Sequence, residues 1–303
     1  MCNISQASAI QRAGRAGRTQ EGTCYRLYTR QAYGRFSAYD TPEILRADLA
    51  EPILMLENMG LVIETMAFLD RPPELAVNQA RSLLLKLSAL DAGGLSSLGK
   101  QMLRLPLHPR LSRLVLAAKV QGVGAEGCLL AALLAERDIR LNRDEPLDSG
   151  DSDLLALRDL FVEIEKAGFS ERAMRQARLN VLSVQRVRQA RDQLLRSVGT
   201  KKRQEDNEEA LLQSILLAYP DQVARTAVAS GKRKGERDLV MVGGGRAALH
   251  ASSVVRDCEW VVALDVEERQ TGTDRRAWAR LVSRVEPDWL LDYFEDDVEA
   301  FEG

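Results

Sequence analysis

The apolar residues of this chain change their period near residue 207, and that change limits the fold more than any other feature. Between His108 and Arg203 they recur at helical spacing: Leu111, Leu114, Val115 and Ala118 line one stripe, and Leu129, Leu130, Leu133 and Leu134 line the next. A last helical run through Leu211, Leu212, Ile215 and Leu216 stops at Tyr219-Pro220, and short β-like runs then follow at 223–229, 239–242, 247–251, 260–266 and 277–285. The chain is therefore expected to be mainly α with a β component, its strands gathered in a small barrel. At 303 residues, 45% of them apolar, it has material for two or three such units.

Ahead of the helical block, Pro42 leads into a helix through Leu49, Ile53 and Leu56 that ends at Met59-Gly60. A second helix is expected over Glu74 to Leu90, with Leu83, Leu84, Leu87 and Leu90 on its apolar face, followed by the turn Asp91-Ala92-Gly93-Gly94. Two helices and a turn-rich segment suit a winged helix, and a generic helical pair equally well. The polar loop 144–153 should end in a cap from Asp151 or Ser152. Its acids, Asp148, Asp151 and Asp153, lack the glycine and terminal glutamate of a calcium loop.

The chemistry concentrates in Gln11-Arg12-Ala13-Gly14-Arg15-Ala16-Gly17-Arg18. On a helix, Gln11, Arg15 and Arg18 fall at i, i+4 and i+7 and share a stripe, with Arg12 to the side. Guanidinium is planar, permanently charged and able to grip phosphate oxygens in pairs. Two on one stripe suit a triphosphate under transfer, as arginine fingers do. Glycine inside a helix costs about 1 kcal/mol against alanine, so Gly14 and Gly17 imply close backbone approach. Spacing alone leaves two alternatives open, an Arg/Gly segment that binds RNA without order and a solvated helical face.

Residues 4–18 (ISQASAIQRAGRAGR), followed by Gly22-Thr23-Cys24-Tyr25-Arg26-Leu27-Tyr28, resemble motif VI and the next strand of DEAH-box RNA helicases. The run 42–111 resembles the winged helix of that family. The segment Leu216 to Ala224, the glycine run from Gly243 and Glu259-Trp260-Val261-Val262-Ala263 resemble the C-terminal region of its bacterial HrpB-type members. The resemblance implies four parts: 1–40, the edge of a second RecA-like α/β domain, with a strand at Thr23 to Thr29; 41–107, a winged helix; 108–205, a helical ratchet-like domain; and 206–303, an OB-like barrel. It also implies that Gln11, Arg15 and Arg18 face the γ-phosphate of ATP across the cleft between two RecA-like domains, with Arg12 a weaker fourth and Arg15 and Arg18 catalytic. ATP with Mg²⁺ is the implied cofactor of the complete enzyme. This chain has neither a G-x-x-x-x-G-K-[ST] phosphate loop nor an Asp-Glu-Ala-His motif. It thus looks like the C-terminal part of a helicase, inactive and without tight nucleotide binding by itself, whose partners are RNA and the missing RecA-like domains. The rival reading is a stand-alone, non-catalytic RNA-binding or adaptor module.

A net charge of −2 gives no global signal for nucleic acid, so any RNA surface must be local. Residues 170–203 carry ten basic residues against Glu171 and Asp192. A helix of this kind can lie along an RNA backbone, with Arg186 or Arg188 as the expected contact; the alternative is a solvated face. The basic loop Lys232-Arg233-Lys234 between two β runs is a second candidate for single-stranded RNA, although the region's few aromatics make stacking a minor expectation. Val240 to Ala248 imitates a dinucleotide fingerprint, but too little chain follows for a doubly wound sheet, and a glycine turn between strands explains it. Four scattered cysteines and two histidines exclude a zinc or disulfide framework and suit a cytoplasmic setting. No closing element is expected in 286–303, which holds eight acids and no base.

Overall fold

The computed structural model of the protein describes residues 4–147, 150–200, 207–228, 237–271 and 274–295. At the N-terminus, α1 (Gln6–Ala13) starts at Ser5, whose hydroxyl accepts from the Ser8 N–H at 3.0 Å. The free N–H groups of Gln6 and Ala7 donate to the carbonyls of Ser37 and Ala38, and the Gln6 amide donates to Tyr33 and Phe36 carbonyls. The end of α2 (Arg30–Gly34) and the segment up to residue 40 are thereby hung on the first turn of α1.

Four elements surround the next core. These are α3 (Ala50–Asn58), α4 (Glu74–Lys86), the hairpin β1 (Leu90–Asp91) and β2 (Gly94–Leu95), and α5 (Ser97–Met102), packed over Ile53, Leu54, Leu84, Leu87 and Met102. α4 stops four residues before the expected Leu90. Ser88 turns left-handed (φ +55°) while the Ala89 N–H returns to the Leu84 carbonyl, and Leu90 enters the hairpin instead. Gly99 has no room for a side chain, since a Cβ would lie 2.2 Å from the Ala89 oxygen.

The largest core is helical: α6 (Pro109–Val120), α7 (Gly124–Ala135), α8 (Asp153–Lys166), α9 (Glu171–Gln176), α10 (Val181–Val198) and α11 (Glu208–Ala218). α7 lies against α6, where Gly127 allows the Ala118 methyl close approach; a Cβ there would sit 2.3 Å from it. Ser152 caps α8 by accepting from the Leu155 N–H. The basic run 170–203 is not one helix, because Arg178 takes φ +55° and the Leu179 N–H returns to Met174, separating α9 from α10.

Five strands close a barrel: β3 (Val223–Val228), β4 (Arg237–Met241), β5 (Arg246–Leu249), β6 (Trp260–Thr271) and β7 (Asp274–Arg284), in the order β3-β4-β5-β7-β6 with β6 returning to β3. Only the β5/β7 pair is parallel. Small side chains, Ala224, Ala247, Ala263 and Ala279, fill the interior with Leu239, Val261 and Val282. Gly244 (φ +84°) turns β4 into β5, so the glycine run serves a hairpin. A last helix, α12 (Pro287–Phe294), corrects the expectation for the C-terminal stretch: Trp289, Leu290 and Phe294 lie among the acids at positions that reach the helical core.

Two junctions fix the units to one another. Between the α3–α5 unit and α6, His108 Nε2 stands 3.3 Å from Asp48 Oδ2, and beside it Arg110 of α6 grips both carboxylate oxygens of Asp221, in the turn between α11 and β3, at 2.6 Å. The His108 Nδ1 accepts from the Arg110 N–H at 3.3 Å, which fixes the ring with Nε2 toward Asp48. The His108 contact comes first among the causes, and with the Ala50 N–H and the positive charge of Arg110 it outweighs partial burial and holds the Asp48 carboxyl at about 2. A depressed carboxyl stabilises the fold above its unfolded value, and that contribution disappears as pH falls through about 2. Asp48→Asn should therefore lower the urea midpoint at pH 6 and leave it nearly unchanged at pH 2; equal losses at both pH values would overturn the assignment.

The second junction joins the helical unit to the barrel. Asp153, at 1% exposure, accepts from the N–H groups of Val254 (2.7 Å) and Val282 (2.8 Å) and from the Ser253 hydroxyl (2.8 Å). The Ser152 and Ser283 hydroxyls meet at 2.7 Å. Around them Arg143 pairs with Asp138, Asp265 and Glu267, while the buried Arg280 reaches Asp144 at 2.7 Å and Glu267 at 3.0 Å.

Candidate nucleotide and RNA surfaces

Gln11 and Arg12 lie on the last turn of α1, exposed, but Arg15 and Arg18 do not continue their stripe. The helix ends at Ala13, with Gly14 as its C-cap, and Arg15 and Ala16 make only tight-turn hydrogen bonds to Arg12 and Ala13. The physical reason is the absence of packing over 14–18. Among the described residues nothing lies within 4 Å of a Cβ placed on Gly17, and one on Gly14 would meet only the Ile10 and Gln11 oxygens of the preceding turn, at 3.6 and 3.7 Å, so neither glycine marks a close approach. Close approach occurs instead at Gly22, whose Cβ would fall 2.0 Å from the Ala16 oxygen, so the segment folds back over the end of α1. Among the described residues Arg12, Arg15 and Arg18 have no ion-pair partner, and all three are exposed at one end of one helix.

The expected strand at Thr23 to Thr29 is not formed. The segment is irregular and exposed, with Leu27 98% accessible, because no described strand lies alongside to complete its backbone hydrogen bonds. What holds its far end is aromatic: Tyr28 stacks on Tyr33 and meets Phe36 edge-on, and Arg26 lies over the Tyr33 ring.

The basic run is less basic in space than along the chain. Arg191 is buried and bidentate to Glu165, Arg175 pairs with Glu171, and Arg178 pairs with Glu145. Two of these partners, Glu165 and Glu145, lie outside the run, where a count along the sequence cannot find them. Arg186 and Arg188 are both exposed, yet two helical positions apart they project about 200° from one another. Arg188 lies over the Phe169 ring, 4.6 Å from its centroid, whereas Arg186 stands on the outer face. Lys232, Arg233 and Lys234 lie outside the described residues. None of the described helices is long and apolar enough to cross a membrane.

No family model matches the chain. The HrpA homolog of Haemophilus influenzae, an ATP-dependent RNA helicase, is 29% identical over 95% of this chain and 24% of its own length. The Schizosaccharomyces pombe pre-mRNA-splicing factor ATP-dependent RNA helicase prp22 is 30% identical over 95% of this chain and 26% of its own length. The chain thus spans about a quarter of the length of these curated relatives. The crystal structure of the Escherichia coli DExH-box NTPase HrpB superposes on 97% of this chain and 32% of its own, with a TM-score of 0.65 and 26% identity. Similarity of this extent, in sequence and in fold, establishes that the chain is homologous to the C-terminal region of HrpA- and HrpB-type DEAH-box ATP-dependent RNA helicases.

Proposed function

We propose that the chain is the C-terminal part of an ATP-dependent RNA helicase, supplying γ-phosphate-sensing arginines and the surfaces over which RNA passes. The observation that carries this reading is the match to RNA helicases along 95% of the chain. Residues 1–40 form the edge of a second RecA-like domain, 41–107 a winged helix, 108–205 a ratchet-like helical domain and 206–303 an OB-like domain. The hairpin β1/β2 after two helices supports the second assignment. The strand order with its single parallel pair supports the last.

ATP and Mg²⁺ belong to the complete enzyme. Gln11, Arg12, Arg15 and Arg18 are exposed, and among the described residues no carboxylate pairs with the arginines, which fits a polyphosphate arriving from outside this chain. Bound ATP would supply the transferred phosphoryl group, and Arg15 and Arg18 would hold charge on its oxygens. Closure of the RecA-like pair would then move the helical unit and barrel along RNA.

A fluorescence anisotropy titration of a labelled single-stranded RNA across a salt series tests the RNA side. Each phosphate contact should contribute a slope of about −0.7 in log K against log salt. Arg186→Glu should flatten the slope, and Lys232→Glu with Arg233→Glu should flatten it less. No binding at low salt, or a slope untouched by both reversals, would leave these runs as solvated faces and favour an adaptor that does not bind RNA.

A further inference from the structure

The outer face of α10 is a single straight stripe. Leu182, Arg186, Gln189, Gln193 and Arg196 are separated by four, three, four and three residues, a spacing that keeps them aligned along a helix. All five are exposed. The opposite face, Val184, Val187, Arg191, Leu194, Leu195 and Val198, is buried in the helical core. The acid of α10, Asp192, turns aside to Arg191, so the stripe carries two positive charges and no negative one. Among the described residues the side chains of Arg186, Gln189, Gln193 and Arg196 have no hydrogen-bond or ion-pair partner.

We infer that this stripe reads the ribose of a single-stranded RNA and gives the chain a preference for RNA over DNA. The inference rests on the RNA reading above and adds to it the contact residues and the sugar. At 1.5 Å rise per residue, Arg186 and Arg196 stand about 15 Å apart along the helix, with the two amides between them. The arginines suit phosphates, which RNA and DNA share, and so give affinity without sugar selectivity. A glutamine amide is both donor and acceptor, and so is the 2′-hydroxyl that distinguishes RNA. Amides bracketed by two cations therefore face the sugars of a strand whose phosphates the cations hold. A stripe that gripped phosphate alone would be expected to carry lysine or arginine at 189 and 193 as well.

The test compares a labelled oligouridylate with an oligodeoxyuridylate of equal length by anisotropy, for the wild-type chain, Gln189→Ala/Gln193→Ala and Arg186→Glu/Arg196→Glu. Alanine keeps the exposed helix intact, and circular dichroism checks that it does. The wild type should prefer RNA. The glutamine pair should lose roughly 3- to 10-fold in RNA affinity, the worth of one or two hydrogen bonds, with DNA affinity and salt slope unchanged. The arginine pair should weaken both nucleic acids and flatten both slopes. Equal wild-type affinity for the two, or equal losses on both in the glutamine pair, would overturn ribose reading. RNA binding that survives the arginine reversal with its slope intact would place the RNA elsewhere, overturning the inference while the RNA reading stands. No binding to RNA at low salt would overturn the RNA reading itself.

Discussion

In a polypeptide that joins this chain to a phosphate loop and a magnesium-binding acidic motif, Arg15→Ala or Arg18→Ala is expected to cut ATP turnover by ~10² or more while RNA affinity stays nearly constant. Loss of a preorganised cation acts on the charge that develops during phosphoryl transfer, where such groups contribute most. The local structure makes the test clean. Both side chains are exposed beyond the end of α1 and support no other contact among the described residues, so neither change should cost more than about 0.5 kcal/mol of stability. Lysine at either position keeps the charge but not the paired donors and should restore only part of the rate. If both alanine variants lost RNA binding and kept their turnover, the segment would be an Arg/Gly RNA-binding stretch instead.

Asp153→Ala is expected to destabilise the isolated chain by about 3 kcal/mol, read as a lowered urea midpoint. Burial pushes the Asp153 carboxyl up, against the pull of the Val282 and Val254 N–H groups and the Ser253 hydroxyl. Alanine leaves all three donors buried without an acceptor, at about 1–3 kcal/mol each less whatever an entering water recovers. Asp153→Asn provides a second arm. It keeps the shape but turns an NH₂ toward one of the donors, and should recover less than half of the loss. A midpoint within experimental error of wild type for both variants would mean that the α8–barrel junction is held by the surrounding ion pairs alone.

How much of this was readable from residues differs by element. All five barrel strands were expected within a few residues, because each pairs a run of Val, Ala and Leu with a clear break. β6 and β7 extend further, to Thr271 and from Asp274, since their charged halves pair with each other. α12 was hidden because its three core contacts, Trp289, Leu290 and Phe294, are interspersed with acids that mask an apolar stripe. The predicted helix through Arg18 failed for the opposite reason: its spacing was regular, but no described residue packs on it, and two glycines then decide the outcome. For the candidate site, the residue types in the run 11–18 were visible and their geometry was not. Asp153 was visible only as one of three acids in a polar loop, with the cap expected from Asp151 or Ser152. Its role in holding the barrel depends on backbone groups a hundred residues away.

The two junctions differ in stiffness, and that difference has a mechanical consequence. Asp153, Ser152 and Ser283 are each 1% exposed at the second junction, whereas the Asp48–His108 contact is open to water on the aspartate side, 60% exposed. A force applied through residues 1–40 would therefore meet its compliance at 41–48 and 104–108, upstream of the helical unit. Beyond that joint, the buried Asp153 contacts would make α6–α11 and the barrel move together. A strand gripped on α10 and another part of the same strand gripped on the barrel would advance by the same distance in each stroke, with no slack accumulating between them.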